Sequence, residues 1–495
     1  MPADCPSAMY SPMMGFLYVF NLIVGTGALA LPKAFQGAGY ALSIVVLFFS
    51  AFISYIAATF VVESLSIGNA VSARKCKEQT RQQQSRQFDD VVITEESPSS
   101  FEINEKIEVG RMASMFLGRA GVILTYLALS IYLFGDLAIY STTVPKSLMN
   151  VICAPVNTSN VMPMDPCRKN WPLFFHRFTV YRLCIILFVI VVTPMVIIGI
   201  QKTKYLQLAT TICRWTAFTL MIVLAVAQII TSGPSGTPPA ANIHGFGSLF
   251  GVTVYAFMCH HSLPALVTPM KTKSLLFFKL SGVFLLVLAF YFTLSITGSF
   301  AFSHVQDVYT LNFLHDDNTS VFYFICDHFL ALFPVFTCTT NYPILATTLI
   351  NNIRVLRDTI LPPGSRLSSE EESLLEDDDI DEHDSRLRSS SRTIQRYDII
   401  IPVVVIGVPT VTALLTDNVL LLATITGSYP GVAVQFLIPC SLVLYARKHT
   451  KNELKMPVPK KHASPFTSNF WPYAIVVWSF FAIIMVTLNV AGVKF

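Results

Sequence analysis

The chain has 495 residues, of which 53% are hydrophobic and 13% charged, and its mean hydropathy is +0.57. Soluble domains carry about 25% charged residues, so this composition excludes an ordinary soluble protein and indicates a chain that lies largely in lipid. The formal net charge of +4 is too small to identify a class of partner. We expect a lipid bilayer around the chain and no nucleic acid partner.

Eleven apolar runs are long enough to cross about 30 Å of hydrocarbon as helices. The three polar residues 416–418 alone separate the ninth run from the tenth. The sequence therefore predicts an all-α integral membrane protein with 11 transmembrane helices. The predicted spans are 14–35, 41–67, 114–145, 180–199, 205–231, 246–269, 275–301, 321–349, 399–416, 419–446 and 471–491.

Polar segments divide the spans into groups. Segments 68–113 and 350–398 show no apolar periodicity, and we predict that both are disordered cytoplasmic loops. Residues 146–179 form a predicted outer loop, and 447–470 form a basic cytoplasmic connector. The resulting divisions are 1–67, 68–113, 114–231, 232–349, 350–398, 399–446, 447–470 and 471–495.

Lysine and arginine in the short connectors predict the orientation. These residues cluster at 202–204, at 271–273 and in the connector 447–470, whereas 232–245 and 302–320 contain none. Because cytoplasmic loops carry the excess of basic residues, we predict a cytoplasmic N-terminus. Eleven spans then place the C-terminus on the luminal or extracellular side.

Two features of the predicted outer loops agree with this orientation. Asn157 and Asn318 each begin a glycosylation sequon, and both lie on the predicted outer side. Cys153 and Cys167 flank the first sequon, where an oxidising lumen permits a disulfide. The sequence therefore predicts a glycoprotein with one disulfide in segment 146–179.

The acidic part of segment 350–398 contains a possible sorting signal. Glu370, followed by Leu374 and Leu375, resembles the acidic dileucine signal that cytoplasmic clathrin adaptors bind. The alternative, which we favour for most of the segment, is a solvated acidic loop. A lysosomal or endosomal location and a plasma membrane location both stay open.

The first span contains residues that interrupt a helix. Gly25 and Gly27 stand two positions apart, and Pro32 follows five positions later. Glycine costs about 1 kcal/mol and proline about 3 kcal/mol in a helix interior, so a break here is favoured only if the freed backbone groups bind something. Broken helices of this kind form the solute and ion sites of secondary transporters. Close packing of small residues against a neighbouring helix is the alternative.

The sixth span is interrupted in the same way. Gly251 and Pro264 flank the polar cluster of residues 259–262, in which Cys259 and His260 are candidate substrate ligands. A simply packed histidine is the alternative for His260. Interruptions in spans one and six are what a repeat of five plus five inverted helices requires.

The first span resembles that of the amino acid/auxin permease family. The resemblance extends to Thr340-Asn341-Tyr342-Pro343 and to nearly the whole chain. It implies a leucine-transporter-type fold, with two inverted five-helix repeats, broken helices 1 and 6, and an appended helix 11. The matching positions of span one are Asn21, Gly25, Gly27, Leu29, Pro32, Ala34, Phe35 and Gly39.

The same resemblance implies roles for individual residues. The backbone from Val24 through Gly25 and Thr26 to Gly27 would bind the amino and carboxyl groups of an amino acid. Asn21 and Thr340 match residues that contact sodium in sodium-coupled members, and Thr337 lies one turn before Thr340 as a more distant candidate. The alternatives are a hydrogen bond between helices for Asn21 and a bond to its own helix for Thr340.

Two charged residues lie near the middle of predicted spans. Asp136 in span three and Arg214 in span five are each nine residues from the end of a span. Charges at this depth are costly and usually functional. A permanent ion pair between them is one interpretation, and proton coupling through Asp136 is the other.

These observations predict a secondary active transporter for neutral amino acids or similar small zwitterions, driven by Na⁺ or H⁺. A sensor with the same fold and little flux is the alternative. We expect no enzyme activity and no cofactor, because the sequence contains no recognisable nucleophile triad, nucleotide loop or metal motif. The sequence leaves the choice between Na⁺ and H⁺ open.

Overall fold

The computed structural model describes residues 10–85, 98–153, 164–168, 171–172, 174–198, 204–273, 275–314, 320–360 and 396–491. The predicted sequons at Asn157 and Asn318 and the dileucine at Leu374 and Leu375 lie outside these residues. The described part is almost entirely helical. Its α-helices are α1 (Pro12–Ile23), α2 (Thr26–Ala38), α3 (Tyr40–Ser85), α4 (Val109–Phe116), α5 (Gly118–Ile152), α6 (Arg177–Ile198), α7 (Lys204–Ser232), α8 (Phe246–Ala256), α9 (Leu263–Val267), α10 (Leu276–Ala301), α11 (Val321–Ile360), α12 (Arg396–Leu415), α13 (Val419–Thr426), α14 (Ile438–His449) and α15 (Phe470–Val490).

The helices correspond to the predicted spans. Eight are long and apolar enough to cross a membrane, and the bent pair α1 and α2 makes a ninth candidate. Two shorter apolar helices, Ile243–Ala256 and Ile400–Leu415, stand at the sixth and ninth predicted spans. Large apolar side chains are exposed on the long helices, as expected for a surface that faces lipid; examples are Phe48 of α3, Leu124 of α5 and Ile190 of α6.

The first span is broken, as the sequence predicts. α1 ends at Ile23, α2 begins at Thr26, and the two helices meet at an angle of 51°. Gly25 between them has non-helical backbone angles of φ −127° and ψ −148°. Gly27 also packs closely, because an added Cβ would lie 2.7 Å from Ala256 Cα. Both interpretations of the glycines are therefore correct, one at each position.

The sixth span is broken between α8 and α9. Residues 257–262 connect the end of α8 at Ala256 to the start of α9 at Leu263. Pro264 lies in the first turn of α9, where a missing N–H leaves no helical hydrogen bond unmade. Proline therefore starts the second half of this span.

The two broken spans meet near the centre of the bundle. α2 packs against α8 and α10, whereas α5 packs against α6, α11 and α12. We call the end of the bundle where α1 begins the N-terminal side, and the other end the opposite side. In α13–α14 the helix is π-helical at Gly427–Gly431 and Ala433–Leu437, next to Gly251 of α8.

The prediction of disorder over 68–113 is wrong for the described residues of that segment. α3 continues to Ser85, and residues 98–116 pack onto the N-terminal side. Phe101, Ile103 and Ile107 are buried there. Asn69 Oδ1 accepts hydrogen bonds from the backbone N–H groups of residues 104 and 105, at 2.9 and 2.7 Å. Only a few separate apolar side chains and the Asn69 hydrogen bonds fix this segment, so its sequence shows no regular spacing of apolar residues.

The ends of segment 350–398 also differ from the prediction of a disordered loop. α11 continues to Ile360, and α12 already begins at Arg396. Residues 361–395 lie outside the described part of the chain. Helices that extend beyond the apolar run carry polar residues in water, which is why hydropathy alone ends them too early.

A candidate solute site between the broken helices

A small cavity lies where α2 meets α5, α7 and α11. Its free volume is about 10 Å³, which is room for about one water molecule. An amino acid therefore does not fit in this conformation unless the helices separate. The lining residues are Gly25, Thr26, Leu29, Tyr140, Arg214, Phe333, Thr337, Cys338 and Asn341.

Arg214 of α7 reaches the break in the first span. Its Nη1 donates hydrogen bonds to Asn21 O and, at 3.1 Å, to Val24 O. These carbonyls are freed because the helix stops at Ile23. A guanidinium group thus satisfies backbone acceptors that an intact helix would pair internally.

Tyr291 of α10 joins the two breaks. Its hydroxyl lies 2.9 Å from Ile23 O in the first span and 3.0 Å from Ala256 O in the sixth. The side chain is fully buried. One phenol thus contacts the freed backbone of both broken helices at the same point.

Asp136 is linked to the first break through a tyrosine. Tyr255 OH donates to Asp136 Oδ1 at 2.5 Å. The same hydroxyl lies 2.8 Å from Thr26 Oγ1, and because its own proton goes to Asp136, the threonine is the donor. Asp136 itself is buried, with 8% of its surface exposed. A series of two hydrogen bonds thus connects Thr26 in α2 through Tyr255 in α8 to Asp136 in α5.

The interpretation of Asp136 and Arg214 as an ion pair is wrong. Both residues are described, and their charged groups form no salt bridge with each other. Arg214 instead faces the carbonyls of the first break, and Asp136 faces Tyr255. Two strong competing partners keep the opposite charges apart.

The residues suggested as ion ligands are only partly brought together. Asn21 Nδ2 donates to Thr211 Oγ1 at 2.9 Å, which is the predicted alternative of a bond between helices. Thr340 Oγ1 donates to Phe336 O and Thr337 O of its own helix, and Thr340 does not line the cavity. Thr337 does line the cavity. Because Thr337 Oγ1 also donates to carbonyls of its own helix, Phe333 O and Pro334 O, an ion contact at either threonine stays a prediction.

Cys259 and His260 do not line the cavity. His260 is buried, and its Nε2 lies 2.9 Å from Ser54 O of α3. The alternative of a packed histidine is thus what the structure has. Cys259 and His260 are both buried in the protein core in this conformation, so their contact with substrate stays a prediction.

Several lining residues were not singled out from the sequence. Tyr140, Phe333, Cys338 and Asn341 stand in spans three and eight. Asn341 follows Thr340 within the stretch 340–343 that resembles the family, and Tyr140 stands four residues after Asp136. That stretch was the available signal, but it does not say which side chain faces the cavity.

A disulfide joins Cys153 to Cys167 beyond the end of α5. Both cysteines are buried in a small cluster with Val180 and Cys184. The bond thus ties the end of α5 to the start of α6.

The whole chain was compared with known proteins. A family model described as "Transmembrane amino acid transporter protein" matches residues 9–488. The chain belongs to the transmembrane amino acid transporter family. It is 56% identical to "Transmembrane protein 104 homolog" of Caenorhabditis briggsae over 99% of this chain and 98% of that protein. It is 36% identical to "Transmembrane protein 104" of Homo sapiens over 97% of both chains.

A solved structure confirms the fold of this family member. The crystal structure of MhsT in complex with L-phenylalanine superposes with a TM-score of 0.52 at 14% identity. The match covers 98% of this chain and 99% of MhsT. The predicted leucine-transporter-type fold is therefore correct, and the chain is a multi-pass membrane protein of a transporter family.

Proposed function

We propose that this protein carries small zwitterionic amino acids across a membrane by alternating access. The observation that supports this most directly is a cavity beside the break in the first span, which Tyr255 and Tyr291 link to the sixth span. Gly25 and Thr26 stand at the N-terminus of α2 and line that cavity. The unpaired N–H groups and positive dipole at such a terminus favour a carboxylate.

The lining disfavours a cationic side chain on the solute. Among the described lining residues, Arg214 is the only one that carries a charge at neutral pH. A cationic solute side chain would meet this guanidinium, whereas a carboxylate would be attracted to it. Leu29 and Phe333 supply apolar surface for a small side chain.

The contacts of Arg214 favour protons over sodium as the coupling ion. Sodium prefers oxygen ligands such as the freed carbonyls at a helix break. Two of those carbonyls, Asn21 O and Val24 O, already accept hydrogen bonds from Arg214. A fixed positive charge at that point also repels a cation. We therefore propose that no sodium ion is needed to hold the first break.

Asp136 is the proposed proton carrier. It is a buried carboxylate without an ion-pair partner among the described residues, and it receives the hydroxyl of Tyr255. Protonation would turn the carboxylate into a donor, so the Tyr255 hydroxyl could turn toward Thr26 instead. The protonation state of Asp136 would thus change the hydrogen bonding of Thr26 at the first break, through the Tyr255 hydroxyl.

Uptake into liposomes tests this function. Purified protein is reconstituted and supplied with a labelled mixture of neutral L-amino acids under an imposed Na⁺ gradient or an imposed pH gradient. We expect accumulation with the pH gradient and no stimulation by Na⁺. Accumulation that needs Na⁺ would contradict proton coupling. Saturable binding without accumulation would identify a sensor instead.

The role of Asp136 is tested by Asp136→Asn with Asp358→Asn as the control. Asp358 is a partly exposed carboxylate at the end of α11, paired with the neighbouring Arg357. Asp136→Asn should abolish pH-driven accumulation but keep exchange of internal for external amino acid, because exchange needs no net proton movement. Asp358→Asn should keep both activities. Unchanged pH-driven accumulation in Asp136→Asn would remove Asp136 from the mechanism.

A further inference from the structure

Basic side chains from two separate connectors meet on the N-terminal side of the bundle. The first connector joins α9 to α10, and the second joins α14 to α15. Lys273 of the first connector lies close enough to Lys461 of the second for the two charges to repel each other. His462 is close to both lysines. We call this group, together with the exposed Lys271 and Lys460, the basic patch.

The positive charges of the basic patch outnumber the negative charges beside it. Lys273 Nζ donates to Met270 O at 3.0 Å, and an ammonium group has three donors, so further donors remain for a ligand. Among the described residues, Glu102 is the one carboxylate that acts on both Lys273 and His462. Neither Lys273 nor Lys461 forms an ion pair within that part of the chain. One carboxylate thus stands against four lysines, and the patch attracts anions.

The second connector is held firmly against α3. Ser464 N–H donates to Glu63 Oε2 at 3.1 Å, and Arg447 donates to Phe466 O at 3.0 Å. These bonds fix the backbone three to five residues after Lys461. A group that is already in place loses less conformational freedom when it binds a ligand.

Aromatic side chains lie beside the basic patch. Phe466 of the second connector contacts Tyr55 of α3 and Trp471 of α15, with ring centroids 6.1 and 5.0 Å apart. Tyr55 OH also donates to the backbone at the start of α10, at 3.1 Å. Phe278 and Phe470, which follow the two connectors, are 74% and 67% exposed. Tyrosine and tryptophan in such positions mark the level of the lipid headgroups.

An excess of lysine on one side is also what the orientation of the spans requires. Orientation depends on the number of basic residues in each loop, and it does not require two loops to bring ammonium groups together. Holding unneutralised charges close to each other costs free energy because they repel. An anion that contacts Lys273 and Lys461 at once would remove this repulsion.

We propose that the basic patch binds the headgroup of an anionic membrane lipid that carries more than one phosphate, such as a phosphorylated inositol lipid. Separate phosphates would contact the ammonium groups of Lys273 and Lys461. The acyl chains would lie along the exposed Phe278 and Phe470. On the orientation predicted from the sequence, this side faces the cytoplasm, whose leaflet contains such lipids. The inference does not depend on the proposed function.

Binding by the purified full-length protein in detergent gives the first test. Short-chain phosphatidylinositol bisphosphate is titrated against wild type, Lys273→Gln and Lys461→Gln, with Lys451→Gln as the control. Lys451 is exposed in the same connector but is not among the charges that act on His462. Each patch variant should weaken binding about tenfold, as for loss of one charged hydrogen bond. Lys451→Gln should leave Kd unchanged.

Further titrations identify the kind of anion. Glu102→Gln should strengthen binding, because it removes the carboxylate that partly neutralises the patch. Equal Kd values in wild type and both lysine variants would overturn the proposal. Phosphatidylserine bound as tightly as the bisphosphate would overturn the match to more than one phosphate. Soluble inositol trisphosphate bound as tightly as the lipid would overturn the lipid assignment and identify a site for soluble anions.

Labelling in a membrane gives a second test. The protein is reconstituted in phosphatidylcholine vesicles that contain a photoactivatable phosphatidylinositol bisphosphate, and the labelled peptides are identified by mass spectrometry. Labels should appear in segments 270–280 and 459–475 and should fall in the double variant Lys273→Gln/Lys461→Gln. Labelling of other segments alone, or labelling that the double variant leaves unchanged, would overturn the proposal.

Discussion

A well-shielded ion pair lies on each side of the bundle, and these two pairs are built differently. On the N-terminal side, Arg447 Nε and Nη2 bind Glu63 Oε1 and Oε2, both at 2.8 Å. On the opposite side, Lys146 binds Asp307 through a single 2.7 Å contact. The Glu63 side chain is 3% exposed, against 12% for Asp307. The N-terminal pair is therefore the more strongly desolvated and the more specific in geometry.

Further polar bonds close the N-terminal side. The backbone of Tyr10 bonds to Pro269 O and to the N–H of Lys271, at 3.2 and 3.1 Å. This contact ties the start of α1 to the end of the sixth span. On the opposite side, the halves α2 and α8 touch through closely packed backbone, as at Gly245 and Ala38. Polar bonds are present there too, since Asn242 N–H donates to Ala38 O at 2.7 Å and Gln36 bonds to the backbone of Phe302 and Val305. The two sides therefore differ in the geometry and burial of their ion pairs rather than in whether polar bonds close them.

Glu63→Gln should give the largest loss of stability. Breaking a buried ion pair leaves Arg447 without its partner and costs about 3–5 kcal/mol. Ser464 also loses the carboxylate that its N–H contacts at 3.1 Å. We expect a clear drop in the thermal unfolding temperature in detergent. Glu78→Gln is the control, because the exposed pair of Arg74 and Glu78 contributes about 1 kcal/mol at most. Equal falls in the unfolding temperature of both variants would contradict a larger contribution from the Glu63–Arg447 pair.

Tyr291→Phe should have the next largest effect. It removes only the hydroxyl between Ile23 O and Ala256 O and leaves two buried carbonyls short of a donor. The expected cost is about 1–3 kcal/mol. Amino acid uptake should fall together with thermal stability, since both breaks depend on this group. Tyr323→Phe, at an exposed tyrosine of α11, should change neither property. Stability at the wild-type level in Tyr291→Phe would rule out the bridging role.

Asp307→Asn should cost about 1 kcal/mol, the net contribution of one hydrogen bond, because Lys146 reaches Asp307 through a single contact and keeps its bond to Asp417 O. The amide can still accept from Val419 N–H, but Lys146 loses its charged partner. The unfolding temperature should fall less than in Glu63→Gln. A larger fall in unfolding temperature than in Glu63→Gln would show that the ion pair on the opposite side contributes more to stability than the N-terminal pair.

Acidification should weaken the N-terminal side more than the opposite side. Burial lowers the pKa of His462, and Lys461 lowers it further. Burial and Lys33 similarly lower the pKa of His304. A lowered pKa in the folded state means that stability is lost as pH falls below about 6.5. His462 is 8% exposed, whereas His304 is exposed, so the larger effect should come from His462.

The unfolding temperature measured between pH 7 and pH 4.5 checks this expectation. His462→Gln should flatten the fall with pH more than His304→Gln does. The same slope in wild type and His462→Gln would show that another group senses acid.

The breaks in the two spans could be predicted because their causes are local. Glycine at 25 and 27 weakens a helix interior, and proline at 264 favours the start of a new helix over the continuation of an old one. The partners of the breaks could not be predicted. Arg214 and Tyr291 lie about 190 and 270 residues along the chain from the first break, and only the fold brings them there. The ion pair of Glu63 could not be predicted for the same reason, since its partner Arg447 is 384 residues away along the chain.

Side-chain direction was the second limit. Thr337 and Asn341 both line the cavity, and residues four apart share a helix face. Thr340 is turned away from that face, which spacing from Thr337 alone did not reveal. His260 lies in an unwound segment, where no helical period predicts a direction. Residues 98–116 are ordered through single buried side chains such as Phe101, and such isolated contacts leave no pattern in the sequence that predicts order.

The single proton of the Tyr291 hydroxyl has a consequence for how the helices part. Only one of Ile23 O and Ala256 O can hold that proton fully at any moment. When one broken helix moves away, the other can take the whole bond, so separation forfeits less than one complete interaction. Either half of the molecule can then swing out first at a similar cost, as the alternating access proposed above would require.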